Sequence, residues 1–239
     1  MKSFLLALAL LSPAYGETLI ATTENYPPFN MSLDGGQTII GISTELLREL
    51  SRRTRIEFDI GLYPWSRAYR MAITRDETCV YSTTRTPERE SNFKWVGPLV
   101  SNDWVLYTRA DNKVTLNRIE DARPYLLGAY QDDAVSNYLH DYGYRVEDAI
   151  ADNLNARKLA LGRIDFWATG RLLGAYLAQQ ENLGPFRLAL SFHQTEMYLA
   201  CNPGVGDEVV ERLNQALAEM RQDGSVERIH SKYLERPLR

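Results

Sequence analysis

The chain has 239 residues, 44% hydrophobic and 24% charged, an ordinary globular composition that can build a sizeable core in one domain or two small ones. The formal net charge is −4, with no acidic tail and no basic excess of the kind that marks a nucleic-acid binder. Positive charge is spread along the chain, and the short basic stretch from Arg48 to Arg55 reads as the solvated face of a helix.

The first 16 residues, "MKSFLLALALLSPAYG", carry Lys2, an apolar run from Phe4 to Leu11, and the breakers Ser12 and Pro13. Ala14 and Gly16 then take the small-residue positions before a cut at Glu17. This is the build of a secretory signal peptide, and the run is too short to span a bilayer permanently. The mature protein is expected to be exported and soluble, without stable membrane insertion. In a bacterium its compartment would be the periplasm.

Thr18 to Thr23 reads as a strand and is followed by a Pro-Pro turn. "GISTELLRELSRRTR" predicts a helix with Ser43 able to cap it and Leu46, Leu47 and Leu50 on one face. "IEFDIGLY" alternates as a strand, "PWSRAYRMAIT" opens a helix with Pro64 in its first turn, and "TCVYSTT" is a strand again. "FKWVGPLVSNDWVLYTRAD" reads as extended. The rhythm then restarts with "YLLGAY" as strand, "AVSNYLHDYG" as helix, "RVEDAI" as strand, "NLNARKLALG" as helix, "IDFWAT" as strand and "RLLGAYLAQQ" as helix. "EMYLACNP" returns as a strand. Two helices close the chain, the first amphipathic through Val209, Val210, Leu213, Leu217 and Met220 and ended by Gly224. Two β-α repeats in series predict two α/β lobes, with a ligand cleft between them at the carboxyl ends of the strands.

The most informative stretch is "YSTTRTPERE", residues 81–90. Thr84 ends a strand. "TPERE" looks like one helical turn, with Thr86 able to cap, Pro87 at the first position, and Glu88 and Glu90 at the positive end. Arg89 then lies where it can lean back over the strand end. Its planar fork matches a carboxylate, and nearby hydroxyls such as Ser82 and Thr84 can complete the hydrogen bonding. An exposed surface arginine is the competing reading. Cys79 and Cys201 are able to form one disulfide in an exported chain, and two buried thiols are the alternative. Three scattered histidines offer no metal-ligand spacing, and nothing calls for a cofactor.

In its order of motifs the chain resembles the amino-acid-binding (family 3) periplasmic solute-binding proteins. "STTRTPERESNFKWVGPL" resembles the family's strand-T-x-T-x-x-R signature, and "ENYPPFNM" its first-strand motif. "GISTELLREL" is similar to the first helix, "LGRIDFWATG" to the second lobe's G-x-x-D-A segment, and "MYLACNPG" to the return strand. The resemblance implies a two-lobed periplasmic-binding-protein type II fold, each lobe a mostly parallel sheet flanked by helices. Residues 17–106 and 197–239 would form lobe one and 107–196 lobe two, hinged near 104–108 and 195–199.

The resemblance also implies a site. Arg89 would bind a ligand carboxylate, with Thr84 and Ser82 on the ligand's polar head. Tyr26 and Phe29 would form an aromatic wall or pack within the lobe. Trp65 would cover the cleft or anchor the core, and Arg67 would be a second anion contact or merely solvated. The loop before the second lobe's helix carries Asp132 and Asp133 where the family commonly has Gly-Thr or Gly-Ser. Those carboxylates would attract an amine or cap the helix. Gly170 stands where many relatives have an acid for the α-amine, and Asp165 is expected to be structural. Neighbouring strands would place Cys79 beside Cys201. The implied function is capture of a small polar, carboxylate-bearing ligand by a monomer, for delivery to a permease of an ABC transporter; a sensing receptor without a transporter is the alternative. An enzyme would need an acid or base in the cleft. His193, Glu196, Asp132 and Asp133 form no paired constellation, so no catalytic residues are expected.

Overall fold

The computed structural model describes residues 17–234. The expected signal peptide at residues 1–16 lies outside the described residues.

The first lobe begins with β1 (Thr18–Thr23), a small hairpin of β2 (Met31–Ser32) and β3 (Ile39–Ile40), and α1 (Ile42–Thr54). It continues with β4 (Glu57–Leu62), α2 (Trp65–Thr74), β5 (Thr78–Thr84), the single turn α3 (Pro87–Glu90) and β6 (Lys94–Ser101). The chain crosses to form β7 (Trp104–Arg109), a 3-10 turn at Ile119–Ala122, β8 (Leu126–Tyr130), α4 (Ala134–Asp141), β9 (Arg145–Ala149) and α5 (Asp152–Ala160). The second lobe is completed by β10 (Phe166–Gly170), α6 (Arg171–Gln180) and β11 (Phe186–His193). It then returns through β12 (Glu196–Cys201) and ends in α7 (Asp207–Gln222) and α8 (Ser225–Leu234).

Two five-stranded sheets result, ordered β4-β1-β5-β12-β6 and β11-β7-β10-β8-β9. In each, the strands run one way except the one that enters from the other lobe: β12 is antiparallel to both its neighbours, and so is β7. Each sheet has its own core. Leu46, Leu47 and Leu50 of α1 meet Leu213, Leu217 and Met220 of α7 in the first. Leu106, Leu127, Leu139 and Phe166 close the second. The heptad-like spacing of the α1 and α7 leucines is what sets this packing.

The hinge differs from the expectation by a few residues. Trp104–Arg109 already belongs to the second sheet and Glu196–Cys201 to the first, so the crossings fall at 102–103 and 194–195. The two crossings are tied together: Asn102 N donates to the Thr195 carbonyl at 2.7 Å, and Thr195 Oγ1 donates to the Asn102 carbonyl at 2.5 Å.

Cys79 and Cys201 are directly opposed across β5 and β12 and form a buried disulfide. Ser43 does not cap α1; Gly41 takes that position at φ 125°, where a Cβ would meet the Phe29 carbonyl oxygen at 2.4 Å. Ser43 lies inside the helix and is buried. Pro64 stands at the N-cap of α2 rather than within its first turn. β11 was not among the predicted strands. Its sequence alternates, with Phe186, Leu188, Leu190 and Phe192 on one side, and its pairing with β7 carries register shifts between Leu188 and Leu190 and between Ser191 and His193.

Candidate ligand-binding cleft

β5 delivers Thr84 to the cleft, and α3 turns the chain so that Arg89 folds back over the strand end. Arg89 Nη1 donates to the Thr84 carbonyl at 3.2 Å. The guanidinium carbon lies 5.2 Å from the ring centre of Trp65 and 5.1 Å from that of Tyr69. Arg89 is 6% exposed, so it is not the surface arginine of the competing reading. A buried cation is costly unless acceptors and π faces surround it. This local sequence spends a strand end, a helical turn and two aromatic residues on that one charge.

The second lobe answers through the loop between β8 and α4. Asp132 adopts φ 63°, a left-handed conformation that aspartate tolerates better than most residues and that glycine adopts freely. This accounts for a glycine-type position being filled by Asp132. The turn aims its carbonyl at the first lobe, where it accepts from Trp65 Nε1 at 2.8 Å and Arg89 Nη2 at 3.5 Å. Asp132 Oδ2 accepts from Ser66 Oγ at 2.7 Å. Asp133 is the N-cap of α4, its Oδ1 accepting from Ala134 N at 2.6 Å.

Three carboxylates share the electrostatics of this region. Burial pushes Glu24, the first residue beyond β1, well above the usual carboxylate range; the charge of Asp133 adds to this, while a hydrogen bond with Tyr130 and the charge of Arg89 oppose it. Burial likewise raises Asp133 against the pull of Arg89 and the Ala134 amide. Asp152, the first residue of α5, is pushed up to about 6 by burial. It accepts from Thr169 Oγ1 at 2.5 Å, Trp167 Nε1 at 2.7 Å and Asn155 Nδ2 at 3.1 Å. One cation and three carboxylates can together hold a ligand that carries both a carboxylate and an ammonium group.

Other expected site residues fall elsewhere. Phe29 is 1% exposed and sits in the first core, stacked on Tyr26 at 5.9 Å between ring centres. Tyr26 reaches the interlobe seam, where its hydroxyl accepts from Asn102 Nδ2 at 3.2 Å. Ser82 occupies a register shift between β5 and β12 at φ 58°, and its hydroxyl bonds Asn30 Oδ1 and, at 2.9 Å, Ser43 Oγ. The irregularity turns Ser82 into the lobe, off the alternation that placed it beside Thr84. Arg67 is exposed and lies over the Tyr63 ring at 4.7 Å.

Gly170 ends β10, and a Cβ there would stand 2.6 Å from both Asn102 Oδ1 and the Tyr26 hydroxyl. Those two side chains fill the space an acid would need. Asp165 Oδ2 accepts from Leu126 N at 2.8 Å, a structural bond. His193 packs at a tilt against Trp104, 5.0 Å between ring centres, and Glu196 accepts from the Tyr198 hydroxyl at 2.9 Å, so the two do not form a pair. Glu24, Tyr130 and Asp152 were missed by sequence reasoning. The signal was present: Glu24 and Tyr130 stand at the ends of strands β1 and β8, and Asp152 opens the helix after β9. Those are the positions where α/β folds place ligand contacts.

Outside Arg89 the cleft opens into a cavity of about 930 Å³ between α2 and α3 on one lobe and α4 on the other. Thr84, Trp65, Tyr69, Asp132 and Tyr138 are among its walls. Among the described residues, no group of histidine, cysteine, aspartate and glutamate is arranged to hold a metal ion, and no helix is long and apolar enough to cross a membrane.

Two hinged α/β lobes with a charged, aromatic cleft between them define the class of two-lobed binding proteins. Residues 19–236 match the family model described as bacterial extracellular solute-binding proteins, family 3, and the chain belongs to that family. It is 25% identical to the putative ABC transporter arginine-binding protein 2 of Escherichia coli (strain K12), over 99% of this chain and 100% of that one. It is 22% identical to the L-cystine-binding protein TcyA of Bacillus subtilis (strain 168), over 91% of this chain and 81% of that one. Among solved structures, a histidine kinase sensor domain with similarity to periplasmic binding proteins superposes with a TM-score of 0.83 at 20% identity, covering 91% of this chain and 96% of that one. The arginine-, lysine-, histidine-binding protein ArtJ of Geobacillus stearothermophilus gives 0.79 at 13% identity, covering 93% and 97%. These superpositions carry the fold, the periplasmic-binding-protein type II architecture.

Proposed function

We propose that this chain is a periplasmic binding protein for a small amino acid or related carboxylate, which it captures between its lobes and hands to an ABC-type permease. The carrying observation is Arg89, buried between Trp65 and Tyr69 and facing a lobe-two loop rich in carboxylate. Arg89 takes the ligand carboxylate, with Thr84 beside it. Glu24 and Asp133 take the ammonium group, the work an acid at position 170 would otherwise do. Trp65 and Asp132 frame the ligand. The names of its relatives, arginine-binding and L-cystine-binding, support an amino-acid ligand.

The mechanism is binding coupled to lobe closure. The Trp65–Asp132 and Ser66–Asp132 bonds join the lobes, and a ligand touching both lobes favours the closed form by its differential affinity for it. A permease then reads the closed surface. A thermal-unfolding screen of the mature chain against amino acids tests the reading. A ligand at about 100 times its Kd adds roughly 2.7 kcal/mol, a shift of roughly 5 to 10 °C. A shift that disappears in Arg89→Ala supports it; silence across all amino acids and organic acids overturns it. Stimulation of a reconstituted permease ATPase by the loaded protein separates delivery from sensing.

A further inference from the structure

The outer cavity is larger than the proposed amino-acid contact needs. Its volume of about 930 Å³ is at the upper end of the roughly 300–1,000 Å³ that enclose drug-sized ligands. Two matched ladders stand among its walls, beside charged side chains that include Arg70, Glu88 and Asp141. On α2, Trp65, Tyr69 and Ile73 follow at four-residue steps; on α4, so do Ala134, Tyr138 and Tyr142, the last just past the helix end. Four-residue spacing puts each set on one face of its helix. Both ladders line the same cavity. Each begins buried beside Arg89 or the Asp132 loop and ends at the mouth in an exposed apolar side chain, Ile73 at 40% and Tyr142 at 58%. Eight residues of helix span about 12 Å.

The aromatic groups lie in contact along each helix. Tyr138 and Tyr142 lie 4.6 Å apart between ring centres, and Tyr138 also stacks with His193 at 5.8 Å. On the facing helix Tyr69 stands 5.4 Å from Trp65. One end of this aromatic channel therefore presents a buried cation, and the other opens to solvent through apolar residues.

We infer that the cavity is a subsite for the body of an elongated ligand, a carboxylate bearing an aromatic ring, such as a dipeptide with a ring or an aryl-substituted acid. This rests on Arg89 taking the carboxylate. The ring lies between the α2 and α4 ladders, and the apolar body runs toward Ile73 and Tyr142. Aromatic side chains on both helices favour a flat ring over an aliphatic chain of equal length.

Calorimetric titration of the mature chain with alanyl-tyrosine and 4-phenylbutyrate, against alanine and propionate, tests this. The ring-bearing probes are expected to bind at least about tenfold more tightly than their small counterparts. Tyr142→Ala and Ile73→Ser, both at exposed positions, are expected to lower that preference about tenfold each while leaving the ligand-free unfolding midpoint in place. Arg89→Ala is expected to abolish binding of every probe. Alanine or propionate binding through Arg89 while the ring-bearing probes fail would overturn the subsite and leave the proposed function standing. Ring-bearing probes that bind with no response to Tyr142→Ala or Ile73→Ser would also overturn it. If none of the four probes binds, the subsite falls; if the wider amino-acid screen is silent as well, the proposed function falls with it.

Discussion

The indole Nε1 of Trp65, on the first lobe, donates a 2.8 Å hydrogen bond to the main-chain carbonyl of Asp132, on the second. Trp65 is 3% exposed, so the bond sits in a packed environment where water does not compete well. Arg89 reaches the same carbonyl, which makes the lobe-closing contact and the proposed carboxylate receptor neighbours. In the proposed mechanism, closure and ligand recognition are therefore coupled through a single oxygen.

Trp65→Phe keeps much of the ring and removes the donor. A net hydrogen bond contributes about 1 kcal/mol, so the closed form should lose about fivefold in population relative to the open one. Ligand affinity should fall by a similar factor, and small-angle scattering should report a larger radius of gyration in the ligand-free variant. An unchanged affinity and radius would remove the bond from the closing mechanism.

Gly170→Asp introduces the acid that the family resemblance leads one to expect at this position. Its Cβ would stand 2.6 Å from Asn102 Oδ1 and the Tyr26 hydroxyl, both part of the interlobe seam. The expected outcome is a lower unfolding midpoint with no gain in affinity for amino acids, since overpacking typically costs about 1–3 kcal/mol. A stable variant that binds more tightly would show that Glu24 and Asp133 do not serve the ammonium group.

The disulfide joins residues 122 apart in sequence. Removing a native disulfide that closes a long loop typically costs about 2–5 kcal/mol. Cys79→Ala/Cys201→Ala should therefore lower the urea midpoint clearly, and a reducing agent should do the same to the wild type and nothing to the variant. Equal midpoints would mean the pair is dispensable.

The pH dependence has a defined sign. Asp152 rises from an ordinary 3.8 to about 6, and Glu24 and Asp133 shift the same way. Between the unfolded and folded values the native state binds more protons than the unfolded one, so ligand-free stability should fall as pH rises from about 4 to 6. The carboxylates held low, such as Glu49 and Asp223 at about 2, act in the opposite sense, with stability lost only as pH falls below about 4. An ammonium-bearing ligand needs Glu24 and Asp133 ionised, and burial holds both above the usual carboxylate range, so its affinity should weaken as pH falls, beginning at a higher pH than for exposed carboxylates. Asp152→Asn should flatten the stability slope in that window; an identical slope would contradict the assignment.

Much of this architecture is legible in the chain itself. Apolar spacing in Leu46, Leu47 and Leu50 and the β-branched and aromatic run "TCVYSTT" mark α1 and β5, and the strand-to-helix switch at Thr84–Pro87 marks where Arg89 must lie. What escaped depends on tertiary detail. The register shift that turns Ser82 inward is set by pairing with β12, over a hundred residues away in sequence. β11, by contrast, carries a plain strand signal that sequence reasoning missed: Phe186, Leu188, Leu190 and Phe192 alternate with Arg187, Ala189, Ser191 and His193. Asp152 looked like an ordinary helix-opening aspartate, and only its burial against Trp167 and Thr169 sets it apart.

The central claim is that Arg89 holds the ligand's carboxylate. The most direct test titrates each ligand found by thermal screening, and its uncharged carboxamide, into wild type and Arg89→Ala by calorimetry. The loss of a buried charge-assisted contact should weaken the carboxylate at least about 100-fold in the variant, while the carboxamide binds weakly to both proteins. Equal affinity of carboxylate and carboxamide for the wild type, or full affinity of Arg89→Ala for the carboxylate, would contradict it.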